Sequence, residues 1–105
     1  MKDFVEKMAE IFKALGDPTR LRIIKILASN KEDRFCVVDI ARRIGITQPA
    51  VSQHIRVLKH LNLLDSEREG YRVYYSVNTD VIKEFKVNMD ELFRKAFIKC
   101  DKDIP

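Results

Sequence analysis

The sequence predicts a single, mainly helical domain carrying one β-hairpin, in the order α-α-α-α-β-β-α. Three observations carry that expectation. Apolar residues recur at helical spacing through the first half of the chain and again near its end. Between those regions, Tyr71-Arg72-Val73-Tyr74-Tyr75-Ser76-Val77 is a run of aromatic and β-branched residues behind Gly70, which is the composition of a strand after a tight turn. The chain has 105 residues, 46% of them hydrophobic and 34% charged, enough for one core and too few for two.

The elements follow in order. Phe4, Met8, Ile11, Phe12 and Leu15 make the first helical stripe, and Gly16 stops it. Asp17-Pro18 is an N-cap followed by the favoured first-turn proline. The second helix carries Leu21, Ile24, Ile26 and Leu27 and fades at Ser29-Asn30. Polar residues from Asn30 to Arg34 predict a loop. A short helix from Val37 to Ile44 turns Val37, Ile40, Ala41 and Ile44 inward, and Gly45 ends it. Thr47 caps the next helix, with Pro49 in its first turn and Val51, Ile55, Leu58 and Leu61 as its stripe, to about Asn62. Two helices joined by a short glycine-containing turn form a helix-turn-helix. Strands over 63–69 and 71–77 flank Gly70. Asn78 or Thr79 then caps a last helix reaching about Lys99.

Composition excludes several functions. The longest apolar runs are only a few residues, so no membrane partner is expected. The charged start MKDFVEKMAE is no signal peptide, which predicts a cytoplasmic protein. Three glycines and no Gly-rich loop argue against a phosphate-cradling nucleotide site. No cysteine–histidine cluster of structural-zinc type is present, and no Ser, Cys or His sits as a nucleophile beside a base. The expectation is a protein without cofactor, and not an enzyme.

The charge pattern points to nucleic acid. The net charge is +4, which permits such a partner without requiring it. From Ile40 to Leu64 there is no Asp or Glu, although the chain holds 16 of them. That stretch carries Arg42, Arg43, Arg56, Lys59, His54 and His60, so a phosphate backbone would meet no repulsion there. Thr47, Gln48, Ser52, Gln53 and Arg56 offer groups that donate to phosphates or read base edges. The hairpin adds Arg68 and Arg72 on either side of its tip. A solvated helix face is the plain alternative for the helix, and a hairpin with surface arginines for the tip. The two parts in direct succession are more specific than either.

These segments resemble one family. Ala14-Leu15-Gly16-Asp17-Pro18-Thr19-Arg20-Leu21-Arg22-Ile23 is similar to the opening of ArsR/SmtB-type winged-helix repressors. Ile46-Thr47-Gln48-Pro49-Ala50-Val51-Ser52-Gln53-His54-Ile55 resembles their recognition helix, and Arg68-Glu69-Gly70-Tyr71-Arg72-Val73-Tyr74-Tyr75 their wing. The resemblance spans roughly residues 10–78. It implies a winged helix-turn-helix, with 37–62 as the helix-turn-helix, 63–77 as the wing, and 1–15 and 79–99 as dimerisation helices. It implies a homodimeric repressor on a double-stranded, pseudo-palindromic operator, released by an inducer that the sequence leaves unnamed. Thr47, Gln48, Ser52, Gln53 and Arg56 would sit in or beside the major groove. His54 would share that role or cover the helix flank, and Arg68, Tyr71 and Arg72 would serve the wing. A winged helix that binds protein instead of DNA is the alternative, and it predicts an apolar or acidic recognition face.

Aromatic residues at the ends agree with a partner chain. Phe4, Phe12, Phe85, Phe93 and Phe97 lie near the termini, and only Phe35 is central. Burying a large side chain contributes about 2 kcal/mol, and one small domain offers little to cover them all.

Many relatives sense metals, and the sequence departs from them. In Phe35-Cys36-Val37-Val38-Asp39, Cys36 matches the first cysteine of a family Cys-x-Cys site and Val38 replaces the second. The last helix has no histidine for the family's second site. No metal site is expected. Two readings of the cysteines stay open. Cys36 and Cys100 act together as a thiol switch or as a thiolate pair for a soft metal ion or trivalent arsenic, or Cys36 is a small core residue and Cys100 a tail residue.

Overall fold

The computed structural model describes residues 3–29 and 34–103, with side chains to residue 96 and at residue 98. Five helices and two strands follow in the expected order: α1 (Phe4–Leu15), α2 (Pro18–Ser29), α3 (Val37–Ile44), α4 (Gln48–His60), β1 (Leu64–Glu69), β2 (Arg72–Val77) and α5 (Thr79–Asp103). No helix among the described residues is long and apolar enough to cross a membrane.

Capping explains most of the boundaries. The Asp3 carboxylate accepts from Glu6 N–H at 2.8 Å and starts α1. Asp17 does the same for α2, accepting from Arg20 N–H at 3.0 Å, and Thr47 Oγ1 starts α4 by accepting from Ala50 N–H at 3.3 Å. Asn78, rather than Thr79, starts α5 through Val81 N–H. Two helices stop at a left-handed residue. Gly45 (φ 81°) follows α3, with Ile46 N–H reaching back to Ala41 O. Asn62 (φ 58°) follows α4, with Leu63 N–H reaching Leu58 O. Both are six-to-one closures, and Asn is the residue besides Gly that best tolerates that conformation.

The core lies among α2, α3, α4 and the base of the hairpin. Ile23, Leu27, Ile40, Val51, Ile55, Leu58, Leu63 and Leu64 form its buried cluster, with Phe35. The α2 stripe differs from the sequence expectation. Ile23 and Leu27 are its buried residues, and Leu21 is 50% exposed. A helix only three turns long has several apolar arcs, and packing against α3 and α4 selects one.

The hairpin pairs antiparallel from Leu64 opposite Val77 to Glu69 opposite Arg72. Gly70 takes φ 62° at the first turn position, where a type II′ hairpin uses glycine. A contact absent from the sequence analysis anchors β2 on its other side. Phe35 and Tyr75 form an isolated antiparallel bridge, with Tyr75 N–H donating to Phe35 O at 2.8 Å.

The last helix runs four residues further than the expected Lys99, to Asp103, so the sequence placed its end too early. No local stop signal at Lys99 ends it. Residues 30–33 of the expected loop lie outside the described residues, as do the side chains of Phe97 and Cys100.

Gly45 should be sensitive to substitution for a backbone reason alone, because an added Cβ would meet nothing within 4 Å. Gly45→Ala is expected to destabilise by about 1–2 kcal/mol, the cost of a left-handed non-glycine residue, and Gly45→Asn by less. Urea unfolding midpoints check this.

Candidate nucleic-acid interface

The buried stripe of α4 fixes what the helix presents. Val51, Ile55 and Leu58 are in the core, so the helical period turns Ser52, Gln53 and Arg56 to the opposite side. All three are exposed, as are Thr47 and Gln48 at the N-terminal end. Thr47 Oγ1 accepts the cap bond, and its hydroxyl proton remains available to donate. The face holds no carboxylate.

The flanks of α4 are fixed by different contacts. On one flank, His54 Nδ1 lies 3.4 Å from Arg20 Nη1 and 3.9 Å from Asp17 Oδ2. Arg20 also donates through Nε to Ala14 O. Of the two placements expected for His54, the ring occupies the helix flank, toward the α1–α2 corner. On the other flank, Lys59 Nζ donates to Ser66 Oγ at 2.8 Å and lies 6.0 Å from the centre of the Tyr75 ring. Lys59 therefore ties the helix to the hairpin. Sequence reasoning counted it only as one more positive charge.

The wing tip is open. Tyr71 is 89% exposed, and Arg72 lies 5.9 Å from its ring centre. The Tyr71 and Tyr74 hydroxyls hold the Arg72 guanidinium above its ordinary range, so its charge is permanent. The register separates the two arginines. Arg68 pairs with Val73 and shares a face with Ser66 and Tyr75, the side facing α4. Arg72 pairs with Glu69 and shares the outer face with Tyr74 and Glu67. They flank the tip and point to opposite sides of the ribbon.

Cys36 is buried and free. Its Sγ donates to Asp39 Oδ2 at 3.1 Å, and its backbone N–H donates to the same oxygen at 3.1 Å. Asp39, three residues into the turn, closes the start of α3. A metal or an oxidant would have to break the S–H contact first. Val38, where the family pattern has a cysteine, has no donor to offer. Among the described residues no group of three or more His, Cys, Asp or Glu could hold a metal ion.

Residues 17–66 match a family described as bacterial regulatory protein, arsR family. The chain is 42% identical over 87 residues to an HTH-type transcriptional regulator of Methanocaldococcus jannaschii, covering 83% of this chain and 96% of that one. It is 36% identical over 77 residues to the transcriptional repressor SdpR of Bacillus subtilis, covering 73% and 82%. NolR from Sinorhizobium fredii superposes with a TM-score of 0.68 at 28% identity, covering 85% of this chain and 86% of that one. A homodimeric winged helix-turn-helix DNA-binding domain from Mycobacterium bovis superposes with a TM-score of 0.67 at 26% identity, covering 96% and 84%.

The contacts of Asp39 give a pH dependence. The Cys36 S–H, and then the Cys36 N–H, hold its carboxyl below the usual range. Arg20 N–H does the same for Asp17. A depressed carboxyl stabilises the fold above its unfolded pKa of about 4, and that stability is lost as pH falls through the folded value. Stability should therefore decline below about pH 4, and Asp39→Asn should decline less over the same window. Urea titrations at stepped pH read this, and equal slopes would remove Asp39 from the account.

Proposed function

We propose that this chain, which belongs to the arsR family of bacterial transcriptional regulators and is not an enzyme, acts as a homodimeric repressor on a pseudo-palindromic operator. The DNA-binding winged helix belongs to the family. The operator contacts, the dimer and the repression are the proposal. One observation carries it: α4 has an exposed, carboxylate-free face with Ser52, Gln53 and Arg56, and Gln48 at its leading end. In this reading α4 enters the major groove and reads base edges. Arg68, Tyr71 and Arg72 lie along the flanking backbone or minor groove. His54 supports the helix from behind and touches no base.

The terminal helices support the dimer. Every described side chain from Asp90 onward in α5 is exposed, including Leu92, Phe93 at 47% and Ile98. Phe12 packs edge-on against Phe85 at 5.2 Å between ring centres, which joins α1 and α5 in one surface. The radius of gyration is 16.6 Å, against about 13 Å for a compact chain of this length. A second copy packed on α1 and α5 covers this surface and sets two α4 helices about one DNA turn apart. The dimer in the Mycobacterium bovis relative supports the same assembly. A repressor of this kind works in the cytoplasm, where its DNA is.

The contacts of Cys36 support the reading in which it is a structural residue of α3. Cys36→Ser should respond to cadmium or diamide no differently from the wild type when both are bound to DNA. Release of the wild type alone would reinstate a thiol sensor.

The base-reading assignment predicts a split between variants. Gln48→Ala and Gln53→Ala should each lose about 1–3 kcal/mol on the operator and little on unrelated duplexes. Arg72→Ala should weaken all duplexes alike and lower the salt slope by about one. Fluorescence anisotropy across a salt series reads both effects. An unchanged slope for Arg72→Ala would remove Arg72 from the backbone contact.

A further inference from the structure

The outer face of the wing carries a charge problem that the helix face does not. Strand β1 places Asp65, Glu67 and Glu69 on one side of the ribbon, opposite Ser76, Tyr74 and Arg72. Glu69 is the residue next to the turn at Gly70. Three carboxylates and a single strand cation, Arg72, leave this face net negative where it is meant to approach phosphates. At moderate salt a charge is felt over about 10 Å, so Glu69 acts on anything that touches the tip.

One residue from outside the hairpin changes this balance. Arg34, just before the bridge residue Phe35, places Nη1 3.1 Å from Glu67 Oε2 and Nη2 2.9 Å from Glu69 Oε1. Its guanidinium also lies 4.9 Å from the centre of the Tyr74 ring. The side chain thus bridges two successive same-face positions of β1, with one nitrogen on each carboxylate and the guanidinium over an aromatic ring. Glu69, and then Glu67, raise its pKa above the ordinary value, so the charge is fixed. All three charged side chains are exposed, Arg34 the least at 39%, and exposed ion pairs of this kind contribute little to stability. A fold-stabilising role is therefore a weak reason for the cluster. An electrostatic role at the wing is a better one.

We propose that Arg34 is a positioning residue of the DNA-binding wing, offsetting Glu67 and Glu69 so that the tip can approach a phosphate backbone. The inference rests on the reading of the hairpin as a DNA contact. It adds a residue outside the helix-turn-helix and the hairpin to the binding apparatus, one that acts through two acids and touches no DNA itself.

The test compares the wild type, Arg34→Gln, the pair Glu67→Gln/Glu69→Gln, and all three changes together. Binding to an upstream duplex and to a scrambled duplex is followed by anisotropy across a salt series, with thermal melting of each protein alongside. Arg34→Gln should lose about tenfold on both duplexes at low salt. The deficit should shrink as salt screens the freed carboxylates. The triple variant, which lacks both carboxylates as well as the cation, should bind at least as tightly as the wild type, and so should the glutamate pair alone. A triple variant as weak as Arg34→Gln, with an intact melt, would overturn the inference, because Arg34 would then be touching DNA directly. Wild-type affinity for Arg34→Gln would overturn it too. If the wild type binds neither duplex, the DNA-binding reading falls and the inference falls with it.

Discussion

Burial of one side of α4 is the constraint on which the rest depends. Val51, Ile55 and Leu58 join Ile23, Leu27 and Ile40 in a single cluster, each contributing on the order of 1.5–3 kcal/mol by removal from water. Once that side is inside, the helical period leaves no freedom for the other. Ser52, Gln53 and Arg56 must face solvent, and His54 and Lys59 must take the flanks. The flanks are then used to align the helix with its neighbours, through Asp17 and Arg20 on one side and Ser66 on the other. The left-handed closures at Gly45 and Asn62 set where the helix-turn-helix bends and where the hairpin begins.

The hairpin is a lever held at its base. The Phe35–Tyr75 bridge fixes β2 on one edge, Lys59 reaches β1 from α4, and Arg34 grips the outer carboxylates. Beyond these contacts the tip projects with Tyr71 in solvent. A two-stranded ribbon has little stability of its own, so its attachments to the body decide its direction. The same segment that carries the bridge begins α3, where Asp39 closes the helix over Cys36. Wing and helix-turn-helix are thereby connected through the chain from Arg34 to Asp39.

Much of this was legible in the sequence, for local reasons. The bounds of α3 follow from Gly45 and the apolar spacing of Val37, Ile40, Ala41 and Ile44. The start of α4 follows from Thr47 and Pro49, and the turn from Gly70. These signals act within a few residues. What sequence reading missed is long-range. A single-residue bridge at Phe35 has no period to betray it. The contact of Arg34 with Glu67 and Glu69 joins residues that only the bridge brings together. Leu21 looked like core because the apolar residues of α2 fall in two arcs, and only its neighbours choose between them. The placement of Arg68 and Arg72 on opposite faces follows from the strand register, which fixed turn geometry makes readable in hindsight. His54 is the clearest site lesson. The period that buries Val51, Ile55 and Leu58 already sets it on the flank, and Asp17 and Arg20, far away in sequence, meet it there.

The central claim is that the outward side of α4 reads a DNA sequence. The most direct measurement is anisotropy binding of the full chain to a duplex from its own upstream region and to a scrambled duplex of equal length, over a range of salt. The account predicts a preference of at least ~10³-fold for the upstream duplex, with both affinities falling as salt rises. Equal, weak binding to both would contradict it, leaving a basic surface that attracts phosphate and reads no bases.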